Sequence, residues 1–219
     1  MCGRYFLSDE EYEIQQILKE IESRHNGTVK AGEIYPTNMA PVMKYGQELA
    51  AIKWGFPKWN SSGVIINARA ETAFEKSMFR SSMLERRCVI PSSGFYEWDR
   101  ANKKKDKYLI RECGSSLLYM AGAWNRFKSP EGEYEAFVIL TTESNDSMKP
   151  PETELSLFPD ERRPIHDRMP VILETDEVDD WLEDNDFACD VLRRRGPELV
   201  LTIAFSPADF SALMLVGGC

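Results

Sequence analysis

The sequence predicts one mixed α+β domain over residues 1–219, with a mainly antiparallel, barrel-like sheet at its centre and helices around it. Three observations carry this expectation. Short runs of β-favouring residues recur along the chain, they interleave irregularly with helical segments, and no regular βα alternation or internal repeat is visible. A chain of 219 residues that is 42% hydrophobic can bury a substantial core as one domain, or at most as two small ones.

The elements follow in order. Ser8 and Glu11 have the spacing of a capping box, and Ile14, Ile17, Leu18 and Ile21 repeat at helical spacing. Residues 8–24 are therefore expected to form an amphipathic helix that stops at Asn26-Gly27. The stretch Ile34–Met43, punctuated by Pro36 and Pro41, reads as extended loop. Strand-like runs come next at Leu49–Trp54, Val64–Asn67, Cys88–Pro91, Tyr108–Arg111, Leu117–Ala121, Ala136–Thr142 and Met169–Leu173. Phe74, Met78 and Leu84 predict a helix after Thr72. The segment Ser144–Pro164 is rich in Pro and polar residues and reads as a long functional loop. An acidic surface helix is expected over about 175–195, with Val178, Trp181 and Leu182 as its buried stripe.

Composition narrows the function. The net charge is −9 and the isoelectric point about 4.9, which argues against a uniformly basic nucleic-acid binder. Residues Glu174–Asp190, however, hold nine acids and no Lys or Arg, leaving 27 acids against 27 bases elsewhere. A local basic groove is compatible with that balance. No apolar run approaches the ~20 residues that span a bilayer. No basic-then-apolar leader opens the sequence either, so a cytoplasmic location is expected. The five cysteines (Cys2, Cys88, Cys113, Cys189 and Cys219) are odd in number and lack CxxC spacing, and His25 and His166 are the only histidines. Neither a disulfide framework nor a metal site is expected.

Four short motifs carry chemistry. The start, Met1-Cys2-Gly3-Arg4, places a small residue after Met1, so removal of Met1 is expected. Cys2 then bears an α-amine (pKa ~8) and a thiol (~8.5) on adjacent carbons. Such a 1,2-aminothiol condenses with an aldehyde to an imine, and the thiol closes a five-membered thiazolidine. "NARAET" puts Asn67 and Arg69 on one face at a strand end, where amide and guanidinium can fix a phosphate or sugar oxygen. It also reads as an ordinary strand edge. "PSSGFYEWD" sets Glu97 among Phe95, Tyr96 and Trp98, where poor solvation raises a carboxyl pKa toward neutrality; an exposed strand Glu is the alternative. "HDRMP" offers His166 as a proton carrier and Arg168 as a phosphate ligand, against a merely structural loop histidine. His25, at a helix end, reads as structural.

Together with WGFPKW (Trp54 to Trp59) and RRCVIP (Arg86 to Pro91), these motifs resemble the SOS response-associated peptidase family, the SRAP domain. The resemblance runs from Cys2 to about Leu173. It implies a protein that senses abasic sites in single-stranded DNA and crosslinks to them, as a monomer and without metal or organic cofactor. It also implies a hydrolase activity, removal of Met1, and a lyase-like handling of the lesion. Carried over by motif, Cys2 is the crosslinking residue, Asn67 positions the sugar, and Glu97 and His166 transfer protons. Arg4, Arg69 and Arg168 hold phosphates, Trp54 abuts the DNA near the lesion, and Arg80 and Thr141 are further contacts. The chain departs from the family in having Ile34-Tyr35 before Pro36, where many members carry Asn. The tail Leu213–Cys219 has no assigned role. Two other readings of the start remain: an N-terminal-nucleophile cysteine amidohydrolase, and a non-covalent reader of modified bases in DNA.

Overall fold

The computed structural model describes residues 2–25, 29–59, 61–99, 106–115, 117–149 and 164–204. In chain order its elements are β1 (Tyr5–Leu7), α1 (Tyr12–His25), β2 (Gly32–Ile34), β3 (Met39–Met43), β4 (Leu49–Trp54), β5 (Phe56–Pro57), β6 (Val64–Ile65) and β7 (Asn67–Arg69). There follow α2 (Ser77–Glu85), β8 (Arg87–Ser92), β9 (Gly94–Trp98), β10 (Lys107–Glu112), β11 (Leu118–Ser129) and β12 (Gly132–Glu143). The last are β13 (Arg168–Pro170), β14 (Ile172–Leu173), α3 (Val178–Glu183), α4 (Asn185–Val191) and β15 (Leu199–Ile203).

Strands β12, β4, β3, β8 and β11 pair in that order, and β11 pairs back onto β12, so the five close into a barrel. Closure removes the open edges that β12 and β11 would otherwise present toward one another. A second sheet, β15-β10-β9-β1-β2, carries the N-terminus. Alternation decides what each barrel strand faces. Phe137 and Ile139 of β12 enter one core with Cys2, Tyr5, Trp54 and α1. Their neighbours Ala136, Val138 and Leu140 enter a second core with Phe79, Met83 and Trp181. Strands buried on both faces read as continuous apolar runs, which is how Ala136–Thr142 appears in sequence.

The expected helix at 8–24 begins later, at Tyr12. Ser8 is drawn into the sheet instead: its N–H donates to Ser93 Oγ at 2.9 Å, and its hydroxyl accepts from Glu10 N–H at 3.3 Å. The first helical bond runs from Gln15 N–H to Glu11 carbonyl at 3.0 Å. Ile14, Ile17 and Ile21 are buried as the spacing predicts. The expected stop at Asn26-Gly27 lies outside the described residues, as do 150–163 of the long loop and the tail after Ala204.

Met39–Met43 is a strand rather than loop, with Pro41 inside it. Pro41 lies opposite Ala51 of β4, while pairing to β8 is confined to Met43, so the missing N–H removes no bond on that side. The single acidic helix is two helices. Asp184 is extended (φ −103°, ψ 121°) and its carboxylate caps α4, accepting from Asp186 N–H at 2.7 Å and Phe187 N–H at 3.1 Å. Arg87 ties these helices to the barrel. Its buried guanidinium donates to the carbonyls of Met83 (2.7 Å), Leu182 (3.3 Å) and Trp181 and to Asn185 Oδ1. A cation thus sits at the C-terminal carbonyls of α2 and α3, where the helix dipoles favour it.

Candidate functional site

Cys2 lies just before β1, and its side chain is fully buried. Its thiol donates to the Arg4 carbonyl at 3.6 Å, and the same carbonyl accepts Tyr96 N–H at 2.8 Å where β1 runs beside β9. The Cys2 carbonyl accepts a hydrogen bond from Asn67 Nδ2 at 2.8 Å. Asn67 opens β7, which is placed by parallel pairing with β12, Asn67 opposite Ile139. The other half of its amide, Oδ1, is buried and has no hydrogen-bond partner among the described residues. Glu97 of β9 is 3% exposed. Burial, and after it the charge of Glu97, pushes the Cys2 thiol far above its ordinary value. The fold therefore brings Cys2, Asn67 and Glu97 together and keeps the thiol protonated.

His166 is buried at the head of β13. Its Nδ1 accepts from Arg168 N–H at 2.9 Å, while Asp167 Oδ1 lies 2.8 Å from the same nitrogen. The two contacts use that nitrogen in opposite senses. A neutral imidazole accepts from Arg168, and a charged one donates to Asp167, so both protonation states find a partner at this position.

The arginines differ among themselves. Arg69 is exposed at the end of β7 and lines an open groove of about 490 Å³ with Glu143, Ser144, Pro164, Asp167 and Arg168. Arg168 itself is buried; its guanidinium makes a fork to Glu71 at 2.6 and 2.8 Å and also donates to the Thr141 carbonyl. The hydrogen bond from Arg168 holds the Glu71 carboxyl below its usual range. Arg80 is exposed on α2. Arg4 Nη1 donates to Glu33 Oε2 at 3.1 Å, and its guanidinium lies over the rings of Tyr35 (4.2 Å) and Trp98 (4.9 Å).

Two expected DNA contacts are interior. Trp54 is fully buried; its indole N–H donates to the Ile66 carbonyl at 3.0 Å, and its ring stacks on Phe137 and meets Tyr5 edge-on. A ring so enclosed has no face to offer a strand in this conformation. Thr141 is also fully buried, with its hydroxyl toward the Ala68 carbonyl at 3.4 Å. The open aromatic of the same WGFPKW motif is Trp59, 92% exposed. Periodicity could not tell the two tryptophans apart. The signal lay in position, since Trp54 ends a strand and Trp59 follows Pro57-Lys58 into a turn. Glu33, Tyr35 and Lys107 were likewise outside the sequence-predicted set. Among the described residues no group of three His, Cys, Asp or Glu side chains could hold a metal, and no helix is long and apolar enough to cross a membrane.

Residues 1–195 match the family described as "SOS response associated peptidase (SRAP)". The chain belongs to this family. It is 34% identical over 197 residues to the "Abasic site processing protein YoqW" of Bacillus subtilis (strain 168), covering 83% of this chain and 80% of that one. It is 30% identical over 164 residues to the "Abasic site processing protein HMCES" of Xenopus tropicalis, covering 62% of this chain and 45% of the relative. Among solved structures, a protein from Bacteroides thetaiotaomicron matches this SRAP chain with a TM-score of 0.73 over 96% of this chain and 94% of that one, at 24% identity. That likeness shows the fold.

Proposed function

We propose that this SRAP chain captures abasic sites in single-stranded DNA by forming a covalent thiazolidine through Cys2. The observation that carries the reading is the convergence on Cys2: its main chain is held by the Asn67 amide, and buried Glu97 is close enough for its charge to act on the thiol. Relatives that share the matched region are named abasic site processing proteins. An abasic site is in part a ring-opened aldehyde, which is the partner a 1,2-aminothiol needs.

The burial of the thiol orders the steps. A protonated thiol is a poor nucleophile, so the α-amine of Cys2, exposed once Met1 is removed, attacks C1′ first. Loss of water from the carbinolamine gives an iminium cation on the Cys2 nitrogen. That charge arises beside the thiol and favours its ionisation. The thiol proton passes to Glu97 as sulfur bonds to C1′, and the C=N electron pair returns to nitrogen to close the ring. Interception of the iminium prevents loss of the C2′ proton and the β-elimination that would break the strand. Sulfur and iminium share one residue, so closure has an effective molarity that can reach ~10⁵ M or more. His166, able to hold a proton, serves ring opening of the sugar and, in reverse, release. Arg69 and Arg80, whose guanidinium groups have no ion pair among the described residues, hold phosphates, and Trp59 offers a face on which a flanking base can stack. Removal of Met1 from Cys2 by the protein itself is the hydrolytic step that fits the family's name. The protein acts as a monomer and needs no cofactor for this chemistry.

The test is incubation with single-stranded DNA bearing one abasic site, followed by a denaturing gel. A shifted, SDS-resistant species with the wild type, and its loss in Cys2→Ala apart from a borohydride-trapped imine, is the expected result. A stable adduct formed equally by Cys2→Ala refutes the thiazolidine. Binding without any adduct leaves a non-covalent reader.

A further inference from the structure

Beside Cys2, three donors converge on one carboxylate. Glu33, on the edge strand β2, accepts from Arg4 Nη1 at 3.1 Å, from the Tyr35 hydroxyl at 3.0 Å, and from Lys107 Nζ. The donors come from three elements: Arg4 leads into β1, Tyr35 follows β2, and Lys107 opens β10. Aromatic rings hold the cations in place. Arg4 lies between Tyr35 and Trp98, and Lys107 Nζ is 3.8 Å from the centre of the Tyr96 ring. The cluster is within reach of solvent, with the side chains of Arg4, Glu33 and Lys107 between 23% and 28% exposed. It adjoins Cys2 through the chain itself, and the Arg4 carbonyl is the acceptor of the Cys2 thiol. Tyr35 and Lys107 are absent from every motif that points to the family.

We infer that Arg4, Lys107 and the Tyr35 hydroxyl form a phosphate subsite flanking Cys2, with Glu33 as its resident anion that a DNA phosphodiester displaces. Two cations and a hydroxyl around a single oxyanion are the donor set that a phosphate requires. Burial raises the Glu33 carboxyl, but the bonds from Lys107 and Tyr35 and the charges of Lys107 and Arg4 outweigh it and hold the carboxyl below its usual range. Glu33 thus stays ionised at neutral pH and fills the subsite when DNA is absent. Replacing one monoanion by another is nearly neutral in charge. The subsite therefore positions a backbone phosphate next to the reacting sugar without binding undamaged strands tightly. Glu33 sets that affinity, and Lys107 and Tyr35 are positioning residues.

The inference rests on the proposed single-strand function, and the experiment separates the two. Anisotropy of labelled, undamaged oligothymidylate is measured across a salt series with wild type, Glu33→Gln, Lys107→Met and Tyr35→Phe. Glu131→Gln, on the β11–β12 turn, matches the charge change of Glu33→Gln elsewhere on the surface. Adduct formation with abasic DNA is measured on each protein in parallel. Glu33→Gln is expected to tighten oligothymidylate binding roughly two- to fivefold relative to Glu131→Gln, the range that partly exposed ion pairs command. Lys107→Met is expected to reduce the salt slope by roughly 0.7, the value for one single-strand phosphate contact. Tyr35→Phe should weaken binding with the slope unchanged. If wild type forms the adduct while Glu33→Gln binds no better than Glu131→Gln, or Lys107→Met keeps the full slope, the subsite is overturned and the proposed function stands. If wild type neither binds single strands nor forms the adduct, both are overturned.

Discussion

Asn67→Ala separates the positioning of Cys2 from the stability of the fold. In the native protein the Asn67 amide donates to the Cys2 carbonyl at 2.8 Å, with both residues buried. The substitution removes one hydrogen bond, worth about 0.5–1.5 kcal/mol net, and leaves a buried carbonyl unsatisfied at about 1–3 kcal/mol. A total near 2 kcal/mol is then expected. For a domain of this size each kcal/mol shifts Tm by about 2–4 °C, so Tm should fall by about 4–8 °C. Native domains have about 5–15 kcal/mol in hand, and the variant remains folded at 25 °C. The rate is more sensitive. Asn67 is the side chain that anchors the Cys2 main chain from outside its own sheet, and a displacement of about 1 Å at a reacting group can cost about 10²-fold. The assay is a single-turnover time course of SDS-resistant adduct on abasic single-stranded DNA at saturating protein, beside a thermal melt. Asn67→Asp has nearly the same shape but turns an acceptor toward the Cys2 carbonyl, and should be at least as slow. An Asn67→Ala protein that melts lower but crosslinks at the wild-type rate refutes the positioning argument.

Three further outcomes are expected. Iodoacetamide should label exposed Cys113 in preference to Cys2 at neutral pH in protein that retains Met1, because burial there keeps the Cys2 thiol protonated; peptide mass spectrometry reads this, and equal labelling of both would show that burial does not protect the thiol. Arg87→Met removes the buried cation from the carbonyls of Met83, Trp181 and Leu182 and should cost about 3 kcal/mol or more, a Tm drop of about 6–12 °C by calorimetry. Glu71, whose carboxyl is lowered in the fold by Arg168, contributes stability above its unfolded pKa of ~4.3 that is lost as pH falls through the lower, folded value; Glu71→Gln should therefore lose stability at pH 7 but not at pH 2, and an equal loss at both would sink the linkage.

Elements with long apolar patterns were legible in sequence, and short or bordering ones were not. The run Leu49–Trp54 is β4 as predicted, because Leu49, Ala50, Ile52 and Trp54 all enter the first core and leave a clear apolar signature. Three-residue β1 and β2 have too few positions to show alternation, although they carry Cys2 and Glu33 to the site. The β11–β12 arm extends well past the predicted runs. Its outer half pairs polar residues such as Arg126 with Glu135, which carry no apolar period. The motif residues Cys2, Asn67 and Glu97 stood out in sequence because their chemistry is unusual in context, and the fold brings them near one another. Trp54 and Thr141 are interior in the fold, which their motifs did not announce, because sequence gives the type of a side chain before it gives the face that is exposed. Glu33 and Lys107 were invisible for a different reason. Each is an ordinary charged residue, and only the pairing of β1 with β2 and β9, and of β9 with β10, makes them neighbours.

The acidic character of the chain bears on how the proposed capture becomes selective. The cations expected to meet DNA are already dressed in carboxylates, Arg4 and Lys107 by Glu33 and Arg168 by Glu71. Among the described residues Arg69 and Arg80 are the site arginines with no ion pair, and an acidic helix pair lies on the same chain. On the proposed reading such a surface gives few net counterions to release, so the non-covalent hold on undamaged single strands is expected to be weak. A base-containing sugar has no aldehyde and is let go. On that reading an abasic sugar meets an amine within a site that orients it, and covalent capture competes with departure of the strand. Discrimination then resides in the chemistry of C1′ rather than in binding energy. A more basic groove would hold all strands longer and lose that contrast, which makes the carboxylates beside the arginines part of the specificity.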